Sequence, residues 1–251
     1  MRLDFIDGFY EGEVYQNKRY GLGKMTYDNG DVYEGYWVED VIQGHGKMTF
    51  SDGTVYEGAF ESGEITGRGK FVFPDGEIHK GDFVRGKLHG YCKRETYDGD
   101  VYEGQYRDGK LNGKGSIKYK DGSSYKGEWR DNKLSGKGKY TWSDGSSYEG
   151  DFVEDKFNGK GKYAWPDGSS YEGEWNDNQK HGAGKLTMPG GEYYTGEWEN
   201  DVFFGYGTLT YPDGTVITAK WNGINCGDGA VRERDGFAEM GIFRDGEFIK
   251  K

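Results

Sequence analysis

A tyrosine recurs every 23 residues, at Tyr10, Tyr33, Tyr56, Tyr102, Tyr125, Tyr148, Tyr171 and Tyr194, and only His79 breaks the run. Two places on stands a glycine (Gly12, Gly35, Gly58, Gly81, Gly104, Gly127, Gly150, Gly173, Gly196). Four places on stands an aromatic: Trp37, Phe60, Phe83, Tyr106, Trp129, Phe152, Trp175, Trp198 and Trp221, with Val14 in the first copy. A period of this length, held without insertion, builds a fold from stacked copies of one small unit. It is not the pattern of a globular enzyme domain.

Composition sharpens the point. Only 33% of the residues are apolar and the formal net charge is -11, a balance usual for disordered chains. Against that stand 17% aromatics and 46 glycines placed in register. The aromatic area must therefore be buried locally, repeat against repeat. Acidity argues against a nucleic-acid partner, which needs a basic face to neutralise phosphates. No basic stretch followed by an apolar run opens the sequence, and no stretch approaches the roughly 18 apolar residues of a membrane span. Cys92 and Cys226 are too far apart in the array to suggest a disulfide framework, so a reduced, cytoplasmic setting is expected.

Residues 31–53 show what one unit is. Val32 to Trp37 has strand composition, and alternation puts Tyr33, Gly35 and Trp37 on one face with Glu34 and Tyr36 on the other. Residues 38–43 read as a loop. Gly44 to Phe50 alternates again, and Ser51-Asp52-Gly53 is a turn, aspartate bonding its own backbone and glycine supplying positive φ. Each repeat is thus a β-hairpin. The expected fold is all-β: an elongated, twisted, single antiparallel meander of tandem 23-residue hairpins, about 100 Å long at about 4.8 Å per strand. Residues 1–7 form an N-terminal cap, 8–222 the array of about ten hairpins with the tenth degraded, and 223–251 a capping half-repeat.

Rows along the array carry the same message. One face bears the Tyr and Trp columns with Met48, Phe71, Tyr140 and Tyr163. The opposite face bears a lysine row (Lys24, Lys47, Lys70, Lys93, Lys139, Lys162, Lys185) facing a row mostly of glutamate (Glu11, Glu34, Glu57, Glu103, Glu149, Glu172). Cross-strand pairs of opposite charge contribute roughly 0.2–1 kcal/mol each, so the aromatic face holds the fold and the charged face keeps it soluble and in register. Paired glycines such as Gly136/Gly138 and Gly159/Gly161 leave room for the neighbouring rings.

Tyr125-Lys126-Gly127-Glu128-Trp129, then Gly136-Lys137-Gly138 and Asp144-Gly145, resemble the MORN repeat, whose pattern is close to YxGxW followed by GxGxxxxxDG. The resemblance covers roughly residues 8–222 in nine copies and a weak tenth, where Ile217-Thr218-Ala219 replaces Tyr-x-Gly. It implies an interaction scaffold that organises partners at cytoskeletal structures such as cilia, a helix or extended segment lying in a groove. The aromatic candidates for that groove are Tyr125, Trp129, Tyr140, Trp142, Tyr148, Phe152, Tyr163, Trp165, Tyr171 and Trp175. The alternative is a peripheral module binding anionic phospholipid through the lysine row, opposed by the facing glutamates and the net charge. Arrays similar to this one also precede catalytic domains, but about 29 residues follow the array here. Edge strands at the sheet ends make a homodimer a further candidate.

No catalytic residue, cofactor or metal site is expected. The four histidines have no ligand spacing, the Gly136-Lys137-Gly138-Lys139 run lacks a phosphate loop's gap, and Asp28-Asn29-Gly30-Asp31 reads as a turn rather than a calcium loop. One irregularity stands out. In the fourth repeat His79, Cys92, Arg94 and Thr96 replace tyrosine, glycine and two apolar residues on the aromatic face. Sequence drift, a bend, or a polar partner contact would each account for it.

Overall fold

The computed structural model describes residues 2–251, apart from the side chains of residues 227 and 228. It is all-β, with 23 strands and no helix among the described residues, and within each unit successive strands pair antiparallel. The chain divides into two units, one running to Lys120 and including Trp129–Asn132, the other comprising Asp121–Glu128 and Lys133–Lys251. Each is a meander of hairpins in its own right.

The 23-residue unit is a hairpin of a seven-residue strand and a nine-residue strand, as in Val32–Val38 and Val41–Thr49 or Ser147–Val153 and Lys156–Ala164. The expected six-residue loop within the repeat is instead a two-residue turn. Val38 stands directly opposite Val41, and between them Glu39 and Asp40 take φ of 49° and 69°. Two left-handed residues in succession make the turn whose twist matches that of the flanking strands. The same pair of φ values recurs at Asp131-Asn132, Glu154-Asp155, Asp177-Asn178 and Asn200-Asp201.

Tightening that turn brings three more residues into the second strand. A further inward row results, with Ile42, Leu88, Leu111 and Leu134 buried. The turn also latches one repeat to the one before it. The side chain of its second residue accepts from a backbone N–H 21 residues earlier: Asp40 from Arg19 (2.9 Å), Asn132 from Leu111 (2.8 Å), Asp155 from Leu134 (2.7 Å), Asn178 from Phe157 (2.7 Å) and Asp201 from Lys180 (2.9 Å).

Between hairpins the Asp-Gly turns are as expected. Asp52 Oδ1 accepts from Thr54 N at 2.8 Å and Gly53 takes φ of 90°; Asp144 and Ser146 repeat the arrangement. The Asp28–Asp31 stretch is this same turn, Gly30 taking φ of 91°. At the start, Arg2–Phe5 pairs with Gly8–Tyr15, and after the array come Asn225–Arg234, Phe237–Arg244 and Glu247–Lys250.

Candidate interaction surface

The repeating tyrosine fills the core through its hydroxyl as much as its ring. First strands carry a bulge just after the repeating glycine, as between Gly150 and Asp151, Gly173 and Glu174, and Gly196 and Glu197. The bulge frees a carbonyl, and the tyrosine three residues back donates to it: Tyr148 Oη to Asp151 O (3.0 Å), Tyr125 to Glu128 O (3.0 Å), Tyr171 to Glu174 O (2.9 Å) and Tyr56 to Ala59 O (3.0 Å). To reach it the ring lies flat across two opposed glycines. A Cβ on Gly150 or Gly161 would overlap the Tyr148 hydroxyl, which is why both positions lack side chains. Burial pushes the phenols of Tyr33, Tyr56 and Tyr194 up to about 12, and those of Tyr125, Tyr148 and Tyr171 upward too, with the carboxylate of Glu128, Asp151 or Glu174 adding to the effect.

The aromatic four places on stands edge-on to these tyrosines. Tyr148 meets Phe152 at 5.1 Å and 88°, and Trp175 of the next repeat at 5.5 Å and 88°. Trp175 Nε1 donates to Gly161 O at 3.1 Å. In the second unit, then, Tyr125, Tyr148, Phe152, Tyr171 and Trp175 are all buried; Trp129, in the first unit, is buried as well. The other four groove candidates stand in a layer outside them. Tyr140, Trp142, Tyr163 and Trp165 are half-buried and touch in sequence, with ring centroids 4.5, 5.3 and 4.6 Å apart. Lys180 Nζ lies 5.9 Å from the Trp165 ring centroid. Phe157, absent from the candidates, stacks on Tyr148 at 3.8 Å and touches Trp142 at 6.0 Å, joining the two layers. The signal that could have found it is the acid or amide pair before it, Glu154-Asp155, which marks the turn and so the strand start.

The depressions of the surface lie on the other face. In the second unit an open depression of about 1150 Å³ is lined by Lys126, Lys137, Lys139, Lys160, Lys162, Glu149, Glu172 and Glu174 over a floor of glycines. Its charges are largely committed: Lys137 to Asp151 (2.7 Å), Lys139 to Glu149 (3.4 Å) and Lys162 to Glu172 (3.9 Å). In the first unit a smaller one, about 530 Å³, is lined by Leu22, Lys24, Tyr36, His45 and Lys47.

In the fourth repeat three of the four irregular residues, His79, Cys92 and Arg94, adjust to their changed surroundings together. His79, shorter than tyrosine, leaves the space above Gly81 vacant, and buried Cys92 fills it, its thiol within 3.1 Å of His89 O and 3.4 Å of Asp82 O. Burial pushes that thiol up. Glu77, which sequence reasoning passed over, ties the rest together. It lies 2.5 Å from His79 Nε2 and accepts from Arg94 at 2.7 and 3.2 Å. Arg94 holds the Glu77 carboxyl below its ordinary range, while burial lowers His79 despite the adjacent carboxylate. A neutral imidazole donating to an ionised Glu77 satisfies both. Thr96 Oγ1 accepts from Asp100 N (3.1 Å) within the following turn. The disturbance reaches Tyr102: Leu111 Cδ2 lies against Gly104 and Gly115 in place of the tyrosine hydroxyl, and Arg94 sits 5.6 Å from the Tyr102 ring. No cluster of three or more His, Cys, Asp or Glu among the described residues is placed to hold a metal ion. Among the described residues no helix is long and apolar enough to cross a membrane.

Comparison with known proteins agrees with the repeat geometry. No curated protein matches the chain. Among solved structures, a mutant TCP10 domain of Danio rerio CPAP aligns at 13% identity over 88% of this chain and 99% of that one, with a TM-score of 0.44. The wild-type domain in complex with a peptide of Danio rerio STIL aligns at 14% over 96% and 97%, TM-score 0.33. The SAS-4 TCP domain of Drosophila melanogaster, in complex with a proline-rich motif of Ana2, aligns at 16% over 60% and 83%, TM-score 0.40. At such identities and scores nothing follows about this chain's partners. The family model of the MORN repeat matches nine consecutive stretches that together run from residue 10 to residue 216, each opening on the rung tyrosine or on His79. The weak tenth copy lies outside them. With most of its length accounted for in this way, the chain belongs to the MORN-repeat family.

Proposed function

We propose that the chain is a non-enzymatic protein-interaction scaffold that receives a helical or extended partner segment on the outer aromatic layer of its second unit, at a cytoskeletal or ciliary structure. Membership of the MORN family supports the scaffold reading. The observation that carries the finer one is the contiguous, half-exposed run Tyr140, Trp142, Tyr163 and Trp165. The rungs beneath it are fully used in packing, whereas these rings each keep an open side. Aromatic anchors in a row across strands suit the apolar stripe of an amphipathic segment.

Lipid binding through the lysine row has less support. Lys24, Lys139 and Lys162 are each within ion-pair distance of the glutamate facing them, and a lysine so paired offers little to an anionic headgroup. The test is affinity purification with mass spectrometry of the wild-type chain beside the Trp142→Ala/Trp165→Ala variant. A partner recovered by the first and lost by the second, at an unchanged unfolding midpoint, supports the reading. A partner retained by both, or salt-sensitive sedimentation with phosphatidylserine vesicles in its place, contradicts it.

A further inference from the structure

On the charged face, each glutamate of a first strand ordinarily stands between two lysines. Glu34 faces Lys24 and Lys47, and Glu57 faces Lys47 and Lys70. Glu149 and Glu172 repeat the pattern with Lys139, Lys162 and Lys185. The fourth repeat reverses it. There Lys80 occupies the glutamate position, directly opposite Lys70 on one side and Lys93 on the other. Three like charges stand in a line across three adjacent strands, an arrangement that destabilises a sheet. Neither Lys70 nor Lys80 has a carboxylate within ion-pair distance among the described residues, Glu95 acting on both only from further off, and both are exposed. Lys93 reaches Glu95 at 2.6 Å.

We infer that this lysine row, on the charged face of the first unit, is a contact site for an acidic polypeptide segment, and that it shares no residue with the aromatic layer of the second unit. The surrounding charges define its width. Glu57 faces Lys70 from the preceding strand, Glu103 faces Lys93 from the following one and accepts from Tyr91, and Arg68 and His89 both stand opposite Asp82. The cationic line is therefore one residue wide and closed at both ends by carboxylates. An extended chain with carboxylates on alternate residues can lie along such a line, supplying between the lysines the negative charge that the other repeats carry themselves. A flat anionic membrane would meet Glu57 and Glu103 as well, within a chain of net charge -11.

The test uses a labelled peptide of alternating glutamate and serine, titrated into the full chain at low salt with fluorescence anisotropy as readout. Lys80→Glu restores the charge alternation, so it is expected to raise the unfolding midpoint while weakening the peptide at least tenfold. Lys47→Glu, at a lysine already flanked by Glu34 and Glu57, serves as the comparison and is expected to change affinity less than threefold. Equal loss in both variants, no binding by the wild type, or binding of phosphatidylserine vesicles in preference to the peptide would each overturn the inference. Because Trp142 and Trp165 take no part, their variant should bind the acidic peptide as the wild type does. The outcome is thereby distinguishable from failure of the aromatic reading.

Discussion

The tyrosine that defines the period acts through an oxygen atom. Ring size alone would make phenylalanine an adequate rung, but the bulge after each glycine frees a carbonyl that only the hydroxyl reaches. Tyr148→Phe should therefore cost about 1–2 kcal/mol in urea unfolding, since it leaves the Asp151 carbonyl without its donor. Gly161→Ala, which drives a methyl into the same hydroxyl, should cost about 1–3 kcal/mol. A Tyr148→Phe variant with unchanged stability would show that the ring, not the hydroxyl, matters. The glycine pairs and the shared face of Tyr and Trp were legible in the spacing, because alternation along a strand dictates them. The hydroxyl's acceptor was not, because a bulge adds a residue without changing the 23-residue count.

At the scale of the hairpin, the decisive feature is the two-residue turn that sequence reasoning took for a loop. Asp, Asn and Glu at these positions do not announce a left-handed pair as strongly as Asn-Gly does. The second strand's glycines, moreover, draw attention past its true start. The turn holds two repeats together, and its energetics can be separated. Asn178→Gly keeps the left-handed backbone and removes only the bond to Phe157 N, so it should cost about 1 kcal/mol. Asn178→Ala removes the same bond and also strains φ of 70°, so it should cost about 1 kcal/mol more. Equal stabilities of the two variants, measured by thermal unfolding, would contradict this account of the turn. The fourth repeat shows the same coupling between positions. His79, Cys92 and Arg94 were visible as departures, yet the agreement of His79 with Arg94 rests on Glu77, which has no special place in the period.

Over the whole molecule, the rung tyrosines make stability depend on pH in one direction. Tyr33, Tyr56 and Tyr194 are held near 12, and Tyr10, Tyr125, Tyr148 and Tyr171 are raised too, against about 10 in the unfolded chain. Below pH 10 both states keep these protons and the groups contribute no pH dependence. Above it the unfolded chain loses protons that the folded chain retains, so stability falls as pH rises from about 10 toward 12. Unfolding followed by tyrosinate absorbance should accordingly be cooperative and coincide with loss of circular dichroism. Gradual titration of these phenols with the sheet intact would count against buried rungs. Repeat number, hairpin architecture and the two chemically distinct faces were all legible in the sequence. Which aromatics remain accessible was not, since Trp165 and Trp175 are the same residue type on the same face and differ only in the layer they occupy. The central claim is that division of labour, and it is tested most directly by one comparison. In affinity purification from matched, folded samples, Trp142→Ala/Trp165→Ala should lose the partner while unfolding at the wild-type midpoint. If the partner persists undiminished on that folded variant, the outer aromatic layer is not the binding surface.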